Sequence, residues 1–430
     1  LRREDSLVLL VVCLGTFFHI QSVGSISVSL SAIQKEFDTS LAAVQWIGLM
    51  GSIMLSSLSL CFGRAGDLIG RRTIFKIGLS LYTAGAGLAA FSATFLQLLA
   101  FRCVMALGLA MAAPMAAAII ASAHGHESRG RALGLLAASI ALGRTTGPTI
   151  GGFILHVWGW RVVFLANCLF GIATCVTLFL IFKGKEERRQ VSVDFLGVLS
   201  LIVGFPSLLI ALTAGTRFGW DASEIVLWLG LAATGMISFV WRESQAKAPL
   251  MNLSYFRSLP FLRSMLSIVL ATLAFYPVAI FGPLYLLNVI GASPLVAGLA
   301  MAVLPLSSTF FSPLSGRLAD RSDPRWVAVL GLCVILSGVF FYARLGEDST
   351  LIWIVFVLAI LGAGIGLFIP ANEKTAFSTV PSRVALAEVS RKSRIGGDVA
   401  GFAYDQQFAF TILLPLAALA VLITMVGKRQ

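Results

Sequence analysis

The chain has 430 residues, of which 58% are hydrophobic and only 12% charged, and its net charge is +12. Soluble domains carry about 25% charged residues, so this composition excludes a water-faced globular protein. The positive charge does not indicate a nucleic-acid partner, because the arginines lie in short stretches between apolar runs and not in a basic stripe interleaved with aromatics. With a mean hydropathy of +0.91, the chain reads as an all-α membrane protein whose surroundings are lipid.

The first apolar run, 7–30, is less apolar than those that follow, with His19, Gln21, Ser22, Ser25, Ser27 and Ser29. The opening Leu1-Arg2-Arg3-Glu4-Asp5-Ser6 is followed by no small-residue cleavage site, so an uncleaved first helix is expected. Lys35, Glu36 and Asp38 mark an interface. Further spans are expected at 42–62, 73–92, 95–121, 131–155 and 161–182, each long enough for a hydrocarbon core of about 30 Å. The charge run Lys183–Gln190 reads as a hinge. Spans at 194–213 and 224–241 lead into a basic linker, Arg242–Arg263, and then to spans at 264–290, 294–319, 326–343 and 351–378. A polar stretch at 380–404 precedes a last apolar run at 405–426.

With the N-terminus inside, cytoplasmic segments hold Arg64, Arg71, Arg72, Arg129, Arg131, Lys183, Lys185, Arg188, Arg189, Arg242, Lys247, Arg257, Arg263, Arg317, Arg321 and Arg325. The other side shows only Lys35, Arg161, Arg217 and Arg344, the asymmetry that the positive-inside rule requires. Thirteen or so spans are visible, and an odd number puts Lys428-Arg429 outside, against the same rule. The segment 383–398 carries Glu388, Arg391, Lys392 and Arg394, too many charges for a bilayer helix, so one second-half span is expected to be missing there.

Two polar stretches share a design. Gly63-Arg64-Ala65-Gly66-Asp67-Leu68-Ile69-Gly70-Arg71-Arg72 is expected to form a tight loop whose glycines let helices approach closely. Gly316-Arg317-Leu318-Ala319-Asp320-Arg321 repeats it 253 residues later, which implies two halves copied from one unit. The expected division is an N-terminal six-span half at 1–183, two extra spans with linkers at 184–263, and a C-terminal half, one span short, at 264–430. Cys13, Cys61, Cys103, Cys168, Cys175 and Cys333 lie in or beside apolar runs without a Cys-x-x-Cys pair and read as small hydrophobes. No nucleophile elbow, Walker loop or His-Glu-x-x-His occurs, so neither an enzyme nor an ATP-driven pump is expected. No cofactor and no metal are expected either. His124-Gly125-His126-Glu127 has metal-ligand residue types but no third ligand nearby. Asn252-Leu253-Ser254 is a glycosylation triplet on the cytoplasmic side, where it would go unused.

These features resemble the major facilitator superfamily over nearly the whole chain. Within it, they resemble the fourteen-span drug:proton antiporters. The stretch at 63–72 is similar to the signature between spans 2 and 3, and that at 316–325 to its second-half echo. Gly143-Arg144-Thr145-Thr146-Gly147-Pro148-Thr149-Ile150-Gly151-Gly152 resembles the antiporter signature of span 5, and Trp160-Arg161 with Phe164 and Asn167 resembles the entry to span 6. The sequence departs from the pattern twice: Ser22 stands where span 1 usually carries an aspartate, and the missing span would be the eleventh of the twelve-helix core.

The resemblance implies that Arg102 in span 4 takes part in proton coupling. A membrane arginine faces a cavity or a partner unless it snorkels from a helix end. Arg144 reaches either the same cavity or the interface. Gly147-Pro148 is expected to kink span 5, with Gly143, Gly151 and Gly152 allowing close packing, as a pivot or as packing alone. Asp67 is expected to latch the cytoplasmic side by pairing with Arg64, Arg71 or Arg72, unless it is a solvated loop acid like many others; Asp320 would be its echo. His19, Gln21, Ser22 and Asn167 are candidate pathway residues, or simply partners in interhelical hydrogen bonds. Glu373 is a second-half candidate, with pairing inside Asn372-Glu373-Lys374 as the alternative.

The leading expectation is a secondary transporter in a bacterial-type inner or plasma membrane that exports amphipathic drugs or organic compounds. Its partners are a small-molecule substrate, protons and the lipid bilayer, and it works as a monomer. One alternative is a carrier of anionic metabolites, motivated by Arg102 and Arg144 without a span 1 acid. Another is a non-transporting sensor or scaffold, motivated by the missing span.

Overall fold

In this computed structural model the described residues are 3–124, 126–182, 195–245 and 258–378. They form twelve helices: α1 (Arg3–Glu36), α2 (Leu41–Ile69), α3 (Arg71–Ala90), α4 (Phe95–Ala123), α5 (His126–Trp158), α6 (Trp160–Ile181), α7 (Phe195–Phe218), α8 (Ser223–Gln245), α9 (Leu259–Asn288), α10 (Pro294–Arg321), α11 (Pro324–Tyr342) and α12 (Leu351–Ser378). Each expected span up to residue 378 coincides with one of them. Nine are long and apolar enough to cross a membrane, and α2 makes a tenth when Ala43–Ser59 and Cys61–Ile69 count as one bent span. The hinge Lys183–Gln190, the triplet Asn252–Ser254, the polar stretch at 380–404 and the run at 405–426 lie outside the described residues. So does the place of the expected missing span.

The helix starts follow local chemistry. Ser40 Oγ accepts from the Ala43 amide at 3.2 Å, and Thr94 Oγ1 from the Gln97 amide at 3.2 Å, each satisfying a first-turn donor.

The two polar stretches are not loops, which corrects the expectation from sequence. α2 runs on through Ile69 and α3 begins at Arg71, leaving Gly70 alone at the joint with φ 118° and ψ 129°. A side chain is strained at that φ, so glycine is what permits a one-residue turn between two long helices. In the second stretch α10 runs through Arg321 and only Ser322 and Asp323 precede α11. There the break is made differently: Asp323 Oδ1 accepts from the Arg325 amide at 2.9 Å, and Pro324 takes a first-turn position where its missing N–H goes unused.

The described helices fall into two compact units. The first holds α1–α6 with residues 278–307 and 341–362. Its centre is α4, whose alanines and glycines are buried on nearly every side, among them Ala106, Gly108, Ala110, Ala112 and Ala116. Helix α6 buries Trp160, Val163, Phe164, Asn167, Gly171, Thr174 and Leu178, while Leu169, Phe170, Ile172, Val176, Phe179 and Leu180 point outwards. Small side chains packed along α4, with large apolar ones of α6 turned outwards, are what a lipid solvent allows, since helices there associate by close packing and not by hydrophobic burial. The second unit holds, of the described residues, 195–245, 258–277, 308–340 and 363–378. In it Gly204 of α7 crosses Gly235 of α8, Gly331 of α11 meets the backbone of Phe368 in α12, and Ser315 Oγ of α10 donates to the Leu367 carbonyl of α12 at 2.6 Å.

Candidate functional site

The span 5 glycines do their work inside the first unit, on two faces of α5. Gly143, Gly147 and Gly151, one turn apart, lie against α1: a Cβ on Gly147 would stand 2.5 Å from the Gln21 carbonyl oxygen and 3.1 Å from Gly24 Cα. One on Gly143 would come to 2.8 Å from the Phe17 oxygen. Gly152 and the Pro148 carbonyl instead lie against α10, where a Cβ on Gly298 would be 3.2 Å from Gly152 Cα and 3.0 Å from the Pro148 carbonyl carbon, while the Pro148 ring faces Gly24 of α1. Ser25 Oγ seals the first contact by donating to the Gly147 carbonyl at 2.9 Å. Beyond this seam Ser31 Oγ of α1 donates to Asn288 Oδ1 of α9 at 2.8 Å.

A buried polar cluster lies beside the seam. Ser22 and Tyr82 share a short hydroxyl contact, Ser22 Oγ donates to the His19 carbonyl at 2.9 Å, and the His19 and Tyr82 rings are 4.6 Å apart. Tyr82 was not singled out in the sequence. The available signal was a phenol just ahead of the small-residue run Thr83–Gly87. Among the described residues neither His19 nitrogen nor Gln21 Oε1 has a hydrogen-bond partner, although Gln21 Nε2 donates to Ser25 Oγ at 2.7 Å. Arg102 on α4 is 3% exposed. Its Nε donates to the Ile47 carbonyl at 3.0 Å, and Nη1 lies 3.9 Å from Met105 Sδ. Arg144, by contrast, is exposed on α5.

At the end of α2 expected to face the cytoplasm, Asp67 Oδ1 accepts from Arg71 Nη2 at 2.8 Å and from Nε at 3.0 Å. Arg71 Nη1 also reaches the Ala118 carbonyl of α4 at 3.4 Å. Gly66 packs on the Met115 side chain. Gly63 is buried and Arg64 half-buried, and Arg72 stacks over Phe182 at 5.0 Å. The second stretch is built otherwise. Asp320 is held by Lys374 of α12, whose Nζ lies 2.7 Å from Oδ1 and 2.6 Å from the Ala319 carbonyl oxygen. Arg317 is exposed, and no atom lies within 4 Å of where a Cβ on Gly316 would be. The lysine of Asn372-Glu373-Lys374 therefore pairs outside its triplet. Asn372 Nδ2 donates to the Ser264 carbonyl of α9 at 3.0 Å, and Glu373 is half-buried. Asn167 Nδ2 stays within its own helix, donating to the Val163 carbonyl at 2.9 Å.

At the other end of α1, Glu36 joins Trp160 and Arg161 of α6, and Arg161 Nη2 donates to the Ser92 carbonyl at 3.1 Å. His124 Nδ1 lies 3.0 Å from the Ile120 carbonyl oxygen; the side chains of His126 and Glu127 fall outside the description. Among the described residues no group of three His, Cys, Asp or Glu side chains is placed to hold a metal ion.

A multi-pass helical membrane protein with a glycine seam and a buried polar core is the class these features define. The family model of the Major Facilitator Superfamily matches residues 12–387, and the chain belongs to that superfamily. It is a secondary transporter and not an enzyme. Multidrug resistance protein Stp of Mycobacterium tuberculosis is 28% identical over 407 residues, covering 94% of this chain and 75% of that protein. The tetracenomycin C resistance and export protein of Streptomyces glaucescens is 27% identical over 384 residues, covering 88% and 70%. The crystal structure of the POT family transporter PepTSo aligns over 100% of this chain and 99% of that one, with a TM-score of 0.64 at 16% identity. That likeness concerns the fold alone.

Proposed function

We propose that this transporter exports amphipathic organic compounds in exchange for protons, as a monomer of the fourteen-span drug antiporter branch in a bacterial plasma membrane. The observation that carries this reading is the span 5 motif. Its glycines place α5 in backbone contact with α1 on one face and α10 on the other, an arrangement suited to rocking about a seam that admits no leak. Relatives named for drug resistance and export support the same reading. The chain is divided, in this proposal, into halves at 1–183 and 264–430 with two extra spans between them. The Asp67–Arg71 pair latches the cytoplasmic end, and the buried cluster around Arg102 handles substrate or proton. Everted vesicles containing the protein are expected to accumulate a fluorescent amphipathic dye when energised and to lose it on addition of an uncoupler. Dye movement indifferent to the proton gradient would remove the coupling.

A further inference from the structure

At the end of α6 expected to face outside, the first unit holds a cavity that the transport reading does not use. Its volume is about 360 Å³, and it opens between residues 90–93, which join α3 to α4, and the first turns of α6. That size falls within the range of about 300–1,000 Å³ for small-molecule sites. Phe91, Val162 and Leu165 make its walls apolar, and Arg161 is the one charged residue among those that line it. The guanidinium is already held in position. Its Nη1 donates to Glu36 at the end of α1, its Nη2 donates to the Ser92 carbonyl at 3.1 Å, and its carbon lies 4.4 Å from the centre of the Trp160 ring. Arginine carries five N–H donors, and among the described residues no further acceptor engages the others. With the side chain 41% exposed, those donors are open to a ligand at the boundary of water and lipid. Two apolar stripes continue the cavity along the helices. Ala84, Leu88 and Phe91 follow at helical spacing on α3 and its cap, as Val162, Leu165 and Leu169 do on α6. Between the stripes the helices meet through small residues: a Cβ on Gly87 would stand 3.0 Å from Cys168 Sγ, and Gly171 packs on Thr83. The stripes therefore flank a groove that leads from the guanidinium along α3 and α6 into the apolar layer.

We propose that this cavity binds a phospholipid of the outer leaflet, with the phosphodiester on Arg161 and one acyl chain in the groove between α3 and α6. A guanidinium offers a phosphate several donors in one plane, and the apolar walls beneath it suit a hydrocarbon chain and not an ion alone. The bound lipid braces the place where Arg161 joins α6 to Glu36 of α1 and to Ser92. This site goes beyond the transport reading and does not depend on it.

The test uses the purified full chain in detergent and three probes. These are dioleoylphosphatidylglycerol, dioleoylglycerol, which lacks the phosphate, and glycerophosphoglycerol, which lacks the chains. Native mass spectrometry reads the affinity of the first bound equivalent of each. The phospholipid is expected to bind at least about tenfold more tightly than either fragment, the discrimination expected of a charge-assisted contact added to a chain contact. Arg161→Gln is expected to bring the phospholipid down to the affinity of dioleoylglycerol. Lys35→Gln, which removes an exposed cation at the same end but outside the cavity, is expected to leave it unchanged. Because Arg161→Gln also breaks the bonds to Glu36 and Ser92, Ala93→Trp serves as a second variant. Ala93 is exposed and lines the cavity, so a tryptophan there fills the space while the guanidinium keeps its bonds, and phospholipid affinity is expected to fall by a similar factor. A fragment binding as tightly as the phospholipid, an equal loss in Lys35→Gln, or unchanged phospholipid affinity in Ala93→Trp would overturn the proposal. No ion gradient is involved, so the outcome is independent of whether the protein exports dye.

Discussion

Asp67 holds Arg71 through two hydrogen bonds of 2.8 and 3.0 Å across Gly70, the single residue between α2 and α3. The arginine in turn reaches the Ala118 carbonyl of α4, so one carboxylate ties together three helices at the end expected to face the cytoplasm. Both side chains are partly shielded, at 18% and 25% exposure. Asp67→Asn keeps the size and some hydrogen bonding, so the protein is expected to fold and insert while turnover slows. A loss of about 1 kcal/mol, reduced from that of a fully buried pair by solvent screening, shifts a two-state equilibrium about fivefold. If the pair belongs to the outward-open state, the shift is expected towards the inward-open form, and Arg71→Ala is expected to act in the same direction. Distance distributions between spin labels at the cytoplasmic ends of the helices would report it. Unchanged distributions with unchanged transport would make Asp67 a solvated acid without a latching role.

Gly70→Ala tests the joint itself. At φ 118° a Cβ is strained by about 1–3 kcal/mol, so the variant is expected to unfold at lower temperature than the wild type. Gly316, the echo of Gly63 and not of the joint residue Gly70, lies within helix α10 with open space around it, so Gly316→Ala serves as the contrast. It is expected to be neutral or mildly stabilising, because alanine favours a helix by about 1 kcal/mol over glycine. Thermal unfolding in detergent compares the two directly, and equal losses would show that the backbone of Gly70 imposes no special strain on a side chain.

The seam predicts a contrast within α5. Gly147→Ala pushes a methyl group to 2.5 Å from the Gln21 oxygen, so α1 and α5 must separate. Overpacking of this kind typically costs about 1–3 kcal/mol. Gly134→Ala, where nothing lies within 4 Å, is expected to leave stability and transport near the wild-type values. A Gly147→Ala variant as stable and active as Gly134→Ala would show that the close approach is dispensable.

Asp320 and Lys374 form the weaker of the two signature contacts, with side chains 73% and 43% exposed. Exposed pairs contribute about 0–1 kcal/mol. A double-mutant cycle with Asp320→Asn and Lys374→Met is therefore expected to give a coupling in that range, and Asp320→Asn to slow export less than Asp67→Asn does. Equal slowing by the two acids would mean that both stretches serve as latches.

The sequence by itself determined where the helices are. Apolar runs of membrane length are a local property of the chain, and twelve of them coincide with α1–α12 because a backbone in lipid must satisfy its own hydrogen bonds within each segment. It also marked Gly143–Gly152, since closely spaced glycines in an apolar run have few uses other than close packing. It did not reveal that the Gly-Arg stretches continue as helix, because a few charges near water are compatible with either a helix end or a loop; Gly70 sets the break in the first and Asp323 with Pro324 in the second. Only the tertiary structure decided the pairings. Asp67 keeps its partner one turn away, whereas its echo Asp320 takes Lys374 from another helix. Tyr82, unremarkable in sequence, meets Ser22 and His19 because α3 presents that face to α1. Such contacts depend on the rotation and depth of each helix about its axis. Hydropathy along one helix does not encode these, since in lipid the packing of small residues against neighbours sets them.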